Sequence, residues 1–336
     1  MSGALVSEDR IIECLARYFP NTHPRLDLCR GDDCAIFKGN RKFCVTSDMF
    51  LEDAHFRRSY FLPEEIGHKA LAVNISDLAA CGARPEAFLL NLGLSDDIDE
   101  EWLGEFFKGM ASLAEKSGIA LAGGDLSRSS RLYVSITAIG EALDGADFLR
   151  RGGGIPGDSI FAIGALGLAR VGLLALEREG RSALEKWPES CAAHLRPQPK
   201  TEAALMLARA GANARPPALM DVSDGAIRDL PRLLGLDGEL GSHSRNLGAK
   251  LEFPDALAHP EVVSYWSSRG ENPVVQALIG GEDYALLGAC APDMAGVLRA
   301  AIPGFVVLGK VTDDGLLSCN GENLEGIRGF DHFAKD

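Results

Sequence analysis

The sequence lacks any apolar run near the ~20 residues that a helix needs to cross a membrane. Its 8 cysteines include no CxxC pair, and no HExxH or Cys/His cluster has zinc-site spacing. There is no GxxxxGK[ST] phosphate loop and no GxSxG nucleophile elbow. These absences argue against zinc hydrolysis, P-loop nucleotide chemistry and serine hydrolysis of the α/β type. Basic residues are scarce too: 34 Lys and Arg stand against 48 Asp and Glu, a net charge of −14. That balance argues against nucleic acid and against an anionic membrane surface as partner. It leaves phosphate substrates open, provided that metal ions offset the carboxylates locally. The opening stretch, MSGALVSEDRIIECLARYFP, reads as a charged amphipathic helix and not as a signal peptide. With it, the cysteines read as reduced, mostly buried thiols of a cytoplasmic protein.

What is present is a globular composition. The chain has 336 residues, 46% hydrophobic and 24% charged, enough for about two domains. The clearest break runs through 144–157, with Gly145, glycines at 152–154, Pro156 and Gly157. We expect a first domain over 1–145 and a second over 146–336. Elements alternate along both, which predicts α/β or α+β layers. Short strands are expected at Ala35–Phe37 and Phe43–Thr46 around a Lys38-Gly39-Asn40 turn. A helix opens at Pro63 and runs to about Cys81, with Gly82 as its stop. A second is framed by Asp99 and Gly118. A strand at Ile119–Ala122 is expected to end in Gly123-Gly124-Asp125, and Leu132–Ile139 alternates as a half-buried strand. In the second half we expect strands at Ser159–Ile163, Leu219–Val222, Tyr284–Leu287 and Phe305–Leu308. Helices are expected at Leu168–Arg178 and Lys200–Ala210. Residues 235–248 read as a Gly-rich polar loop.

One pattern recurs: a short apolar run or small-residue turn ends in Asp beside Gly or Ser. It occurs at Asp32-Asp33, Ser47-Asp48, Ser76-Asp77, Gly124-Asp125, Asp221-Val222-Ser223-Asp224 and Gly281-Glu282-Asp283. Carboxylate and hydroxyl oxygens are the hard ligands that Mg²⁺ takes, and flanking glycines let backbone amides approach phosphates. Any one such Asp is also a common helix cap or turn residue. Asp99 reads as a cap and Asp229 as part of a solvated helix face. Asn74 and Asp77, three apart, share one face of an otherwise apolar helix. His55 and His194 are weak signals alone. Gly152–Gly157 matches GxGxxG literally, but it precedes a strand and contains Pro156, so it reads as a turn.

The ordered set GDDCA (31–35), TSD and DAHF (46–56), KALAVNISDLAACGA (69–83), GGD (123–125), RGGGIPGD (151–158), HLRPQP (194–199), DVSDG (221–225), GGEDY (280–284) and GFDHF (329–333) resembles the thiamine-monophosphate kinases of the AIR-synthase-like ATP-binding proteins. The likeness spans nearly the whole chain. It implies a two-domain α/β (α+β) fold: an N-terminal domain whose sheet pairs with that of a second subunit in a homodimer, then a C-terminal α/β domain. It implies Mg²⁺ and ATP as co-substrate, with thiamine monophosphate as acceptor and thiamine diphosphate as product. By motif, Asp33, Thr46, Ser47, Asp48, Asp77, Asp125, Asp221 and Asp224 would hold Mg²⁺. Gly124, Asp125, Arg151 and Ser223 would contact ATP, and His55, Glu282 and Phe330 would line the thiamine-phosphate site. Asp48, Asp77, Asp125 and Arg151 would carry catalysis. The sequence departs from the family at TSD, at the triple glycine after Arg151, and in the loop at 235–248.

Two alternatives stay open on the residues. One is another ATP-dependent enzyme of the same superfamily. A selenophosphate-type enzyme would want a reactive cysteine in a Gly-rich loop, whereas Cys14 falls in a predicted helix. The other is a catalytically silent nucleotide- or thiamine-phosphate-binding protein, which would not need so many clustered carboxylates.

Overall fold

The computed structural model describes residues 17–20, 22–28, 36–37, 42–235, 247–254, 257, 259–327 and 329. Asp32, Asp33, Phe330, the turn at 38–40, most of the opening helix and residues 236–246 of the polar loop lie outside the described residues. The chain divides into two compact units: Met1–Leu78 with Arg84–Ala142, and Ala79–Ala83 with Leu143–Asp336. Each has its own sheet, so the fold is mixed α/β.

The first unit begins with a short antiparallel pair, β1 (Leu26–Leu28) and β2 (Ile36–Phe37). Its main sheet has four strands: β3 (Phe43–Leu51), β4 (Arg84–Leu94), β5 (Ala120–Arg128) and β6 (Tyr133–Glu141), in the order β3-β6-β4-β5. Only β4 and β5 run parallel, as a strand–helix–strand crossover requires. Helix α1 (Pro63–Ala80) is apolar around most of its circumference, so it is buried, with Ile66, Leu71, Ile75 and Leu78 at 1% exposure or less. Helix α2 (Glu100–Ser117) lies against it at backbone contact distance. A Cβ on Gly67 would stand 2.0 Å from the Phe106 carbonyl oxygen, and one on Gly109 would stand 1.9 Å from that of Glu64. The sequence places the ends of α2 correctly. Asp99 Oδ1 accepts the Trp102 amide at 2.8 Å, and Gly118 closes the helix at φ 67°. Strand β5 departs from expectation. It does not stop at Gly123-Gly124-Asp125 but continues to Arg128, because β4 offers Leu90 opposite Gly124 and Asn91 opposite Asp125.

The second unit is built on a seven-stranded sheet of β7 (Ser159–Ile163), β8 (Ala218–Asp221), β9 (Gly248–Leu251), β10 (Leu286–Cys290), β11 (Phe305–Thr312), β12 (Leu317–Cys319) and β13 (Glu322–Asn323). Its order is β13-β12-β9-β11-β7-β10-β8, antiparallel except between β9 and β12. Among the described residues eight helices complete it: α3 (Leu168–Glu179), α4 (Ala183–Lys186), α5 (Pro188–Leu195), α6 (Thr201–Gly211), α7 (Ala226–Leu234), α8 (Pro260–Ser267), α9 (Pro273–Leu278) and, after β10, α10 (Pro292–Ala301). Leu207 of α6 and Leu298 of α10 pack with Phe161, Leu219, Leu286 and Phe305 of the sheet. Phe161 and Phe305 stack with ring centroids 4.4 Å apart. Gly288 leaves room for the Phe161 ring, whose tip is 2.3 Å from where a Cβ would stand. The five described cysteines are thiols, and Cys191, Cys290 and Cys319 are buried.

Candidate functional site

In the first unit, strand alternation sorts the residues of Thr46-Ser47-Asp48. Thr46 and Asp48 are half-buried on one face of β3, whereas Ser47 is exposed on the other, with its Oγ 3.0 Å from Thr137 Oγ1. Asp77, on α1, meets the first pair: Thr46 Oγ1 donates to Asp77 Oδ2 at 2.5 Å. Asp48 and Asp77 share a hydrogen bond as well. Burial, then the charge of Asp77, then that hydrogen bond push the Asp48 carboxyl up to about 7. Asn74, one turn before Asp77, is 1% exposed and donates back to the Ala70 carbonyl at 3.1 Å. Its Oδ1 has no hydrogen-bond donor among the described residues.

Asp125 is not brought to this cluster within the chain. The register runs Asp48–Ile136–Leu90–Gly124 across the sheet, and Met49–Ser135–Asn91–Asp125 in the next row. Asp125 therefore stands on the far edge strand, roughly 14 Å away over three strand spacings, on the face opposite Asp48. Gly124 is required for its neighbour's placement. A Cβ there would fall 1.7 Å from the Leu90 carbonyl oxygen. His55 follows β3, half-buried and stacked on Phe50 with centroids 5.9 Å apart. Its Nδ1 accepts the Leu51 amide at 3.1 Å, which leaves the proton on Nε2.

In the second unit, two loops lock together. Val222 donates to the Ala285 carbonyl at 2.8 Å, Tyr284 to Val222 at 3.0 Å, and Glu282 to Ser223 at 2.8 Å. This brings the Asp221–Gly225 turn beside Gly280–Tyr284. Asp221 is buried at the end of β8, while Ser223 and Asp224 are half-buried. Asp224 Oδ2 accepts Arg232 at 2.8 Å and lies 3.6 Å from Arg228. Asp229 corrects the sequence reading. It faces the interior at 0% exposure and not solvent, because its Oδ2 accepts the Asp224 amide at 3.2 Å and its Oδ1 accepts Arg232 at 3.1 Å. Burial, then the charge of Asp224, push its carboxyl up to about 6, against the pull of Arg232 and Arg151. Arg151 is thus within electrostatic reach of this cluster. Its loop is tied to the end of α7 by Gly152 donating to the Leu233 carbonyl at 2.7 Å.

Glu282 and Asp283 do different work. Asp283 turns inward and caps α3, its oxygens accepting the amides of Gly167 at 2.5 Å and Ala169 at 2.9 Å. Burial pushes that carboxyl up to about 7 despite those amides. Glu282 turns the other way, with Oε2 3.2 Å from His194 Nδ1. Sequence reasoning missed the roles of Asp283, Arg228, Arg232 and His194. The HLRPQP motif held the one available signal for His194. Among the described residues, no group of three or more His, Cys, Asp and Glu side chains stands ready-made to hold a metal.

This fold, with clustered acids in both units, falls in the AIR-synthase-related class: residues 31–142 match the family described as AIR synthase related protein, N-terminal domain. The thiamine-monophosphate kinase of Synechococcus elongatus is 34% identical over 315 residues, covering 91% of each chain. The crystal structure of thiamine-monophosphate kinase from Stenotrophomonas maltophilia K279a superposes with a TM-score of 0.76 at 29% identity, over 94% of this chain and 96% of that one. AaThiL complexed with AMPPCP and TMP superposes at 0.75 with 27% identity, over 98% and 97%. The chain belongs to the thiamine-monophosphate kinase family.

Proposed function

We infer that this chain is a kinase that transfers the terminal phosphoryl group of ATP to thiamine monophosphate, giving thiamine diphosphate and ADP. The likeness to kinases of that name along nearly the whole chain supports it, as does the complex of AaThiL with AMPPCP and TMP. The observation that carries it here is the convergence of Thr46, Asp48 and Asp77 on one half-buried spot.

The acceptor is a phosphate oxygen, already substantially ionised at neutral pH because its second pKa is ~6. No strong general base is needed. The difficulty is bringing two polyanions together in line. Mg²⁺ would supply charge screening and phosphate alignment when bound. The donor set suits it: Asp48 and Asp77 offer hard oxygens crowded together, Asn74 Oδ1 is an acceptor with no donor among the described residues, and Mg²⁺ needs only one or two carboxylates beside water and phosphate. In this reading Asp48, Asp77 and Thr46 hold metal from the first domain, residues 1–145. Asp221 and Asp224 do so from the second, residues 146–336. Asp33 belongs to the proposed metal set too, as do Ser47 and Asp125, which lie on the other sheet face and would hold an ion apart from the Asp48–Asp77 pair; Gly124, Asp125, Arg151 and Ser223 bind ATP. His55, Glu282 and Phe330 hold thiamine monophosphate, a carboxylate and an aromatic face suiting its cationic ring. Transfer is direct, without a phosphoenzyme, so a chiral phosphorus should invert.

We further propose a homodimer in the cytoplasm. The sheet face bearing Asp125 also exposes Val45 at 65% and Met49 at 61%, apolar surface that a second copy would cover. Among the described residues no helix is long and apolar enough to cross a membrane. The test is ADP release from Mg·ATP with and without thiamine monophosphate, the product being identified by mass. ADP that depends on the acceptor, with thiamine diphosphate formed, is expected. Bound ATP without ADP would overturn the reading.

A further inference from the structure

The Gly280–Tyr284 loop is held in a costly shape. Four non-glycine residues have positive φ among those described, and two of them, Glu282 at 64° and Tyr284 at 48°, lie within this one loop. Such strain persists only where the surroundings over-determine it, and it gathers at functional sites. Here the surroundings are visible. Ser223 and Val222 accept the amides of Glu282 and Tyr284 at 2.8 and 3.0 Å. Asp283 is drawn inward onto the first turn of α3. A Cβ on Gly281 would fall 2.5 Å from the Ser223 carbonyl oxygen, so the backbone is pressed against that turn. These contacts fix where the Glu282 side chain starts. At its far end the side chain meets His194 Nδ1, 3.2 Å from Oε2. His194 is 1% exposed in the last turn of α5, flanked by buried Cys191 and Leu195, so its ring has little freedom to follow a moving partner. Glu282 is only half-buried, and its contact with His194 engages one of its two oxygens.

We propose that His194 is a positioning residue for Glu282: its Nδ1–H donates to Oε2 and turns the carboxylate so that Oε1 faces thiamine monophosphate. This rests on the reading that Glu282 contacts that substrate. A hydrogen bond to a charged acceptor that is lost in this way weakens binding of the acceptor substrate by about 10-fold or more. It leaves ATP binding and folding largely alone, since neither depends on the orientation of the carboxylate.

The test compares His194→Leu, His194→Asn and Glu282→Gln in the full chain, reading KM for each substrate, kcat and melting temperature. Leucine keeps bulk but has no donor, whereas asparagine can place an N–H near the position of Nδ1. We expect His194→Leu to raise KM for thiamine monophosphate about 10-fold with KM for ATP unchanged, and His194→Asn to recover most of that loss. Asparagine as impaired as leucine, or leucine as good as wild type, overturns the proposal. Glu282→Gln separates the two levels. If it raises the same KM while His194 variants do not, only the positioning role fails. If it changes nothing, the underlying assignment of Glu282 fails. Should His194→Leu not fold, His194→Gln replaces it, because glutamine carries its donor near the Nε2 position; asparagine must then outperform glutamine for the proposal to stand.

Discussion

The two units handle clustered acids in opposite ways. At Asp48 every influence points in one direction: burial, the Asp77 charge and their shared hydrogen bond all raise its pKa, to about 7. At Asp224 and Asp229 the chain brings its own cations, with Arg232 bonded to both carboxylates and Arg228 3.6 Å from the first. The first arrangement is costly to ionise until a cation arrives from outside. The second is already balanced. Clustered acids in the two units therefore carry different obligations. In the proposed reading the first cluster serves only to bind metal, while the second also holds α7 and the Asp221–Gly225 turn in register.

The sharpest way to break this contrast is to neutralise the first cluster. Asp48→Asn or Asp77→Asn should lower kcat/KM by roughly 10³-fold, about 4 kcal/mol of transition-state stabilisation. The melting temperature without ligand should hold or rise, since one of two crowded carboxylates is gone. Steady-state kinetics and thermal unfolding of the same preparations check both halves. Near-normal turnover in either variant would remove that Asp from the metal set. In the second cluster the direction reverses. Arg232→Gln strips the guanidinium from a fully buried Asp229 and should destabilise the fold by about 2 kcal/mol, read by urea unfolding. A stable Arg232→Gln variant would show that the balance is incidental.

The same contrast shows what was legible in the sequence. Local signals worked where local chemistry decides. Asp99 and Gly118 frame α2 as expected, since a cap and a left-handed stop need only near neighbours. The acidic motifs are visible as well, and Thr46, Asp48 and Asp77 do meet, although on a strand and a helix and not in turns. What failed depended on distant partners. Asp229 sits on a helix with polar neighbours, and its burial follows from the amide of Asp224 and from Arg232 closing over it. Gly123-Gly124-Asp125 looked like a strand end, but β4 continues alongside and keeps the strand going. Ser47 and Asp125 fall on the other face from Asp48 because register, which no short motif encodes, alternates side chains across the sheet. Asp283 shares the recurring acidic pattern, yet it caps a helix more than a hundred positions earlier in the chain.

A third kind of acid, at the surface, sets the scale for the other two. Asp97 accepts Arg58 at 2.7 Å and Ser95 Oγ at 2.6 Å, and is 63% exposed. The Arg58 hydrogen bond first, then that of Ser95, hold its carboxyl down at about 2, below the ordinary 3.8. A lowered folded-state pKa contributes stability that is fully present above the ordinary value and is lost as pH falls through the lowered one. Water screens a pair this open, so the contribution is about 0.5 kcal/mol or less. Asp97→Asn should therefore trail wild type by that small margin near neutral pH. The gap should close as pH drops from about 4 toward about 2, and it should shrink in high salt as well. Urea titrations across that pH range read it directly. A gap as large as that expected for Arg232→Gln would mean that burial is not what separates the balanced cluster from an ordinary surface pair.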